Sequence, residues 1–139
     1  VTTEMGARVS VPYCVAVAAL DGAVGQAQFR AERVNRADVQ ALLARTETIA
    51  DPAQTALYPA KFPSRIRIAL RDGRTIVRER AFPKGDPQDP LSPEEIESKF
   101  LRNTEATLGT ARARDLLAVI RALPGERSPA RLSGLLRRA

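Results

Sequence analysis

"RIRIALRDGRTIVRER", residues 65–80, is the stretch on which the fold class turns. Two runs alternate apolar with polar side chains, and Asp72-Gly73 lies between them. Period two marks a strand, and Asp-Gly suits a tight hairpin turn because the central residues need positive φ. A two-residue loop pairs Arg71 with Arg74 and Leu70 with Thr75. One face then carries Ile66, Ile68, Leu70, Thr75 and Val77. The other carries Arg65, Arg67, Ala69, Arg71, Arg74, Ile76, Arg78 and Arg80, so six arginines share a face.

This segment also holds most of the excess charge. Of the net +6, residues 64–84 contribute seven basic and two acidic side chains, or +5. Like charges opposite one another on a sheet face are destabilising, so the face calls for compensation. Three readings stand: a solvated face whose arginine stems cover apolar surface, a contact with an acidic surface of another domain or a dimer partner, or phosphate neutralisation on nucleic acid. With 4% aromatic residues no platform for base stacking is visible, which makes nucleic acid the least favoured of the three.

Outward from the hairpin the pattern turns helical. Ser10 can cap a helix with Pro12 in its first turn, where a missing N–H costs nothing. This helix, apolar on nearly every side, should end near Asp21-Gly22 and be enclosed by protein. Its ten-residue apolar core, Val11 to Leu20, is half of the roughly 20 residues needed to cross a bilayer. A second helix is expected over residues 35–45, with Val39, Leu42 and Leu43 on one stripe, and "TETIAD", residues 46–51, reads as a short strand. Beyond the hairpin, Pro83, Gly85, Pro87 and Pro90 hold off regular structure. Ser92-Pro93-Glu94-Glu95 then combines an N-cap, a proline in the first turn and a capping box, with Ile96, Phe100 and Leu101 to dock the helix. Another helix from Thr110 carries Ala113, Leu116, Leu117 and Ile120 on a stripe and ends at Pro124-Gly125. A last one falls in residues 128–139.

At 139 residues and 44% hydrophobic, the chain has the size and composition of one soluble domain. Its single cysteine, Cys14, sits in the apolar run, so no disulfide framework forms and a reducing, cytoplasmic setting is the default. There is no histidine, which removes the commonest acid/base and the commonest metal ligand. The fold class is therefore α+β: a single two-layer domain over 1–139, with a small sheet around the Asp72-Gly73 hairpin packed against helices.

The order of these signals resembles a known family. "S-x-P-Y-C-V-A-V-A-x-L-D-G" from Ser10, the hairpin's "R-I-x-L-x-D-G", and "K-G-D-P-x-x-P-L-S-x-E-E-I-x-x-K-F" from Lys84 are similar to the C-terminal domain of the MmgE/PrpD family. That family includes 2-methylcitrate dehydratase, cis-aconitate decarboxylase and iminodisuccinate epimerase. The resemblance implies the smaller α+β domain of a lyase or isomerase, with a helical N-terminal domain as partner. It implies a small di- or tricarboxylate substrate, no metal or organic cofactor, and a homodimer. It also implies that proton transfer rests mainly on the helical domain and that this chain alone is inactive. By the same resemblance Tyr13 approaches the active site as the catalytic phenol, while Arg8 and Ser10 are candidate substrate-binding residues. Many relatives carry Lys or His where this chain has Arg8, and arginine holds a carboxylate without serving as a base.

The residues alone support plainer roles as well: Tyr13 as a helix residue bonded to a backbone carbonyl, Ser10 as a cap, and Asp21-Gly22 and Lys84-Gly85-Asp86 as turns. Glu94 and Glu95 belong to the capping box, and Cys14 is a buried thiol. Exposure of Tyr13 and its apolar neighbours would make the isolated domain prone to dimerise through the surface that normally faces the helical domain. The alternative function is a non-catalytic binding module that holds an anionic partner on the arginine face.

Overall fold

A computed structural model describes residues 1–125 and 128–136. By contacts the chain divides into two compact units, Val1–Pro52 and Ala53–Ala139.

The first unit is helical. Helix α1 spans Glu4–Arg8, with Thr3 Oγ1 accepting from the N–H of Gly6 at 3.1 Å. Helix α2 covers Val11–Asp21 between the start and stop signals expected for it. Ser10 Oγ accepts from the Tyr13 N–H at 3.2 Å, and Gly22 ends the helix at φ 68°. That positive φ is open to glycine without the penalty a Cβ brings. A 3-10 turn at Gln26–Phe29 and helices α3 (Ala31–Val34) and α4 (Ala37–Leu43) complete the unit.

Ala7, Tyr13, Val17, Val34 and Val39 form its buried cluster, with Phe29 and Leu43 against it. Helix α2 is not enclosed on every side as its composition suggested. Tyr13, Ala16 and Val17 are buried, whereas Val11 is 67% exposed and Leu20 is exposed too. Residues 46–51 are not a strand. A lone strand in this helical unit would have no edge to pair with, and its backbone groups would go unsatisfied. Helix α5, Pro52–Thr55, follows.

The second unit holds the sheet, two antiparallel strands β1 (Ser64–Ala69) and β2 (Thr75–Arg80). The α+β class holds, but the register differs from the two-residue loop expected. Ala69 pairs with Thr75, Ile68 with Ile76 and Ile66 with Arg78. The N–H of Leu70 donates to the carbonyl of Arg74 at 2.8 Å, so Arg71, Asp72 and Gly73 all lie in the loop. Gly73 takes φ 86°, and Asp72 Oδ1 accepts from the N–H of Arg74 at 3.0 Å. A single left-handed glycine thus closes a three-residue hairpin loop, the next commonest type after two.

A one-residue change of loop length moves β2 side chains to the opposite face, and the six-arginine face disappears. Paired residues share a face, so Ile66, Ile68, Leu70, Arg74, Ile76, Arg78 and Arg80 now lie together, while Arg65 and Arg67 share the other face with Ala69, Thr75, Val77 and Glu79. The predicted repulsion is relieved by this split. Arg65 pairs with Glu79 directly across the ladder, Arg74 with Asp72, and Arg80 with Asp89. Every residue of both strands is exposed, so neither face of the ribbon is covered in the way a buried layer would be.

Helix α6 (Pro93–Leu108) begins with the capping box read from sequence. Ser92 Oγ accepts from the N–H of Glu95 at 3.2 Å, and Glu95 accepts from the N–H of Ser92 at 2.7 Å. Ile96 nevertheless stands exposed, whereas Phe100 and Leu101, the other two residues expected to dock the helix, are half-buried. Helix α7 (Thr110–Ala122) packs on α6 and buries Ala113, Leu116 and Val119. The stripe is one residue off the expected Ile120, which is exposed. Positions 113, 116 and 119 follow an i, i+3, i+6 row that drifts from the i+7 position as the helix turns. Arg121 pairs with Glu97 across α6 and α7. After a 3-10 turn at Leu123–Gly125, helix α8 covers Ala130–Leu136. The last three residues of the expected terminal helix, 137–139, lie outside the described ones.

Ser92→Ala removes the cap of the longest helix. A loss of about 1 kcal/mol in urea denaturation followed by far-UV circular dichroism is expected, with an unchanged dependence of the unfolding free energy on urea concentration.

Candidate functional site

The three residues singled out from sequence are gathered at the junction of α1 and α2. Arg8 is the last residue of α1 and is exposed. Its guanidinium lies 5.1 Å from the centroid of the Phe29 ring, within range of a cation–π contact. Ser10, half-buried, is committed as the N-cap of α2 through its acceptor oxygen.

Tyr13 is fully buried, contrary to the exposure expected of it. Its ring meets Phe29 at 5.9 Å between centroids, and its hydroxyl donates to the backbone carbonyl of Gln28. Burial pushes the phenol above its ordinary value, with Asp21 adding to the rise and Arg33 opposing it. Tyr13 is therefore a neutral hydrogen-bond donor at physiological pH. Phe29 received no role from the sequence, since a lone aromatic among polar residues carries no pattern. Through it, the cation of Arg8 and the phenol of Tyr13 become neighbours of one ring.

Asp21 does more than turn the chain. Its carboxylate accepts from Arg33 Nε at 2.9 Å, from Arg33 Nη2 and from Gln28 Nε2 at 3.1 Å. Arg33 also donates to Asp38 at 2.9 Å. The side chain of Arg33 is only 13% exposed, and its bidentate fork ties the end of α2 to the start of α4. The hydrogen bonds from Arg33 and Gln28 hold the Asp21 carboxyl below the usual carboxylate range. Because the same Gln28 supplies the carbonyl for Tyr13, this ion pair braces the loop that holds the phenol. Its members lie far apart in sequence, so no local motif announced it.

Among the other candidates, Cys14 is half-buried and burial raises its thiol above the ordinary value, so it is no activated nucleophile. In the second unit Lys84 reaches Asp89 at 3.4 Å, the carbonyl of Pro90 at 2.9 Å and Glu95 at 3.2 Å. Gly85, at φ 99°, turns the loop. The K-G-D-P segment is thus a clasp that binds its own loop to the cap of α6. Glu94 and Glu95 line an open cleft with Leu91, Ser98, Lys99 and Arg102, but both carboxylates are engaged at the cap of α6. Among the described residues no helix is long and apolar enough to cross a membrane.

A small α+β domain of helices and one antiparallel ribbon, with an arginine, a serine and a buried phenol at one helix junction, is the class these features define. The MmgE/PrpD C-terminal domain model matches residues 1–124, and the chain belongs to that family. It is 28% identical over 121 residues to "Cis-aconitate decarboxylase" of Mus musculus and 27% identical over 121 residues to "Cis-aconitate decarboxylase" of Homo sapiens. In each case 87% of this chain aligns with 25% of the relative, so the chain spans about a quarter of the length of the curated relatives it matches.

The Asp21–Arg33 pair has a directional pH signature. A carboxyl whose folded pKa is lowered stabilises fully above its unfolded value of about 4 and loses that contribution as pH falls through the folded value. Arg33→Gln should thus lower thermal stability at pH 6, and the gap to the unsubstituted chain should close below about pH 4, as read by calorimetry across that range.

Proposed function

We propose that the 139 residues act together as the small α+β domain of a larger lyase, one that works on a small di- or tricarboxylate and forms one wall of its active site. Membership of the MmgE/PrpD C-terminal domain family over residues 1–124 carries this reading. Both curated relatives are decarboxylases of an unsaturated tricarboxylate by name, which supports a polycarboxylate substrate. Elimination of water from 2-methylcitrate or loss of carbon dioxide from cis-aconitate are the reactions to distinguish. Both begin by weakening a bond next to a carboxylate, where a fixed cation lowers the cost of developing charge.

In this reading Arg8 supplies that cation. It is exposed, permanently charged and shaped for a carboxylate, and the Phe29 ring beneath it limits where it can point. The Ser10 hydroxyl, its oxygen occupied by the helix cap, retains a proton to donate to substrate. The Tyr13 phenol must exchange its bond to the Gln28 carbonyl before it can serve a substrate directly. Acid/base groups come from the remaining chain of the whole protein, which we propose to be a homodimer of the cytoplasm that needs no metal or organic cofactor. The isolated 139 residues are then inactive.

The test is turnover of 2-methylcitrate and cis-aconitate by the whole protein, followed by proton NMR. Arg8→Gln should raise KM about tenfold or more, the loss of one charge-assisted contact. Tyr13→Phe separates two roles. A fall in kcat of at least about tenfold with a matching loss of thermal stability of about 1 kcal/mol places the phenol as a brace for the wall. The same fall with stability unchanged places it on the substrate. Turnover of neither acid nor of related polycarboxylates by the folded protein would overturn the reading.

A further inference from the structure

The hairpin presents an edge whose chemistry alternates. Along β1, Ile66 and Ile68 stand on one face while Arg65 and Arg67 stand on the other. The N–H of Leu70 points across to β2, so by alternation the amides of Ile68 and Ile66 face β2 and those of Arg67 and Ala69 face outward. No backbone partner meets those two amides among the described residues. Ile66 and Ile68 are 39% and 38% exposed. Arg65 has Glu79 across the ladder, but Arg67 faces Val77 and has no carboxylate at salt-bridge distance among the described residues.

A two-stranded ribbon exposed on both faces is marginal in water, and an open edge is a template for another strand. The side chains say which strand. A second copy of β1 would set guanidinium against guanidinium, which is unfavourable. The β2 edge is less selective, since its faces mix Glu79 with Val77 and Arg78 with Ile76. A strand that alternates apolar and carboxylate side chains fits β1 on both faces at once. Its apolar residues cover Ile66 and Ile68, and a carboxylate neutralises Arg67.

We propose that the outer edge of β1 is a docking site for an extended acidic segment, one that adds as a third strand and alternates apolar with carboxylate side chains. Main-chain bonds to Arg67 and Ala69 supply registry, and the Arg67 guanidinium supplies selectivity against basic strands.

The test uses the full 139-residue chain and a short blocked peptide alternating valine with glutamate, compared with one alternating valine with lysine. Two-dimensional amide NMR is expected to show shifts and slowed exchange at Arg67 and Ala69 with the glutamate peptide, at an affinity at least about tenfold above the lysine peptide. Arg67→Glu should invert that preference. Ala69→Pro removes an outward N–H while leaving the ladder and every charge in place, and should abolish binding while the amides of Leu70 and Arg74 keep their positions. Equal binding of the two peptides overturns the proposal, as does shifting confined to other residues or indifference to Ala69→Pro. An RNA oligonucleotide moving the same amides where the glutamate peptide does not would likewise overturn it, in favour of contact with a polyanion.

Discussion

The bond from the Tyr13 hydroxyl to the Gln28 carbonyl holds the first unit in its shape. It carries a polar atom into an apolar cluster and satisfies it there, which is the condition for burying a phenol at all. The consequence spreads outward. With the 3-10 turn at Gln26–Phe29 fixed against α2, Phe29 lies between Tyr13 and Arg8, and Gln28 is free to donate its amide to Asp21. Arg33 then closes the arrangement by binding Asp21 and Asp38 together. A cation over an aromatic face and a two-carboxylate clamp are what give the α1–α2 junction a defined edge. In the proposed reading of this junction as a wall for an anionic substrate, that rigidity is what counts, because a cation that wanders contributes little to a developing charge.

The second unit rests on a different constraint, the length of one loop. Three residues at Arg71–Gly73 in place of two rotate the whole of β2 by one position, and this decides the electrostatics of the ribbon. In the longer loop Glu79 falls opposite Arg65 and forms a cross-strand pair. In the shorter loop the arginines would have confronted each other. The actual turn is the one in which the sequence's two acidic residues in this segment, Asp72 and Glu79, both find a guanidinium. Arg67 finds no carboxylate among the described residues, on an edge that also exposes isoleucine.

Much of this was legible in the sequence. The α+β class followed from the switch to period two after a run of helical signals, and the family resemblance rested on motifs that the family model also matches. The caps at Ser10 and Ser92 and the stop at Gly22 were readable because a cap is local: an oxygen, a few residues on, meets an orphan N–H. The same locality led the reading astray at Asp72-Gly73. An Asp-Gly pair serves both two- and three-residue loops, and the choice depends on which cross-strand partners result. At the candidate site, Ser10, Tyr13 and Asp21 stand in the quoted motif and Arg8 just ahead of it, but the pairing of Asp21 with Arg33 and the place of Phe29 were not legible, since nothing about their spacing marks them as partners.

The sequence by itself determined where the capped helices α2 and α6 start and where α2 stops, that a hairpin turns at Asp72-Gly73, that residues 64–84 hold the excess positive charge, and which family the chain resembles. These depend on interactions within a few residues, where chain order and distance are nearly the same thing. Tertiary structure alone decided that Tyr13 is buried with its hydroxyl donating to the Gln28 carbonyl, that one face of the apolar helix α2 stays open, and that the six arginines divide between two faces and the loop. Each of those outcomes is a competition among partners distant along the chain. Burial and charge pairing are settled only when the backbone has brought the competitors within a few ångströms of each other.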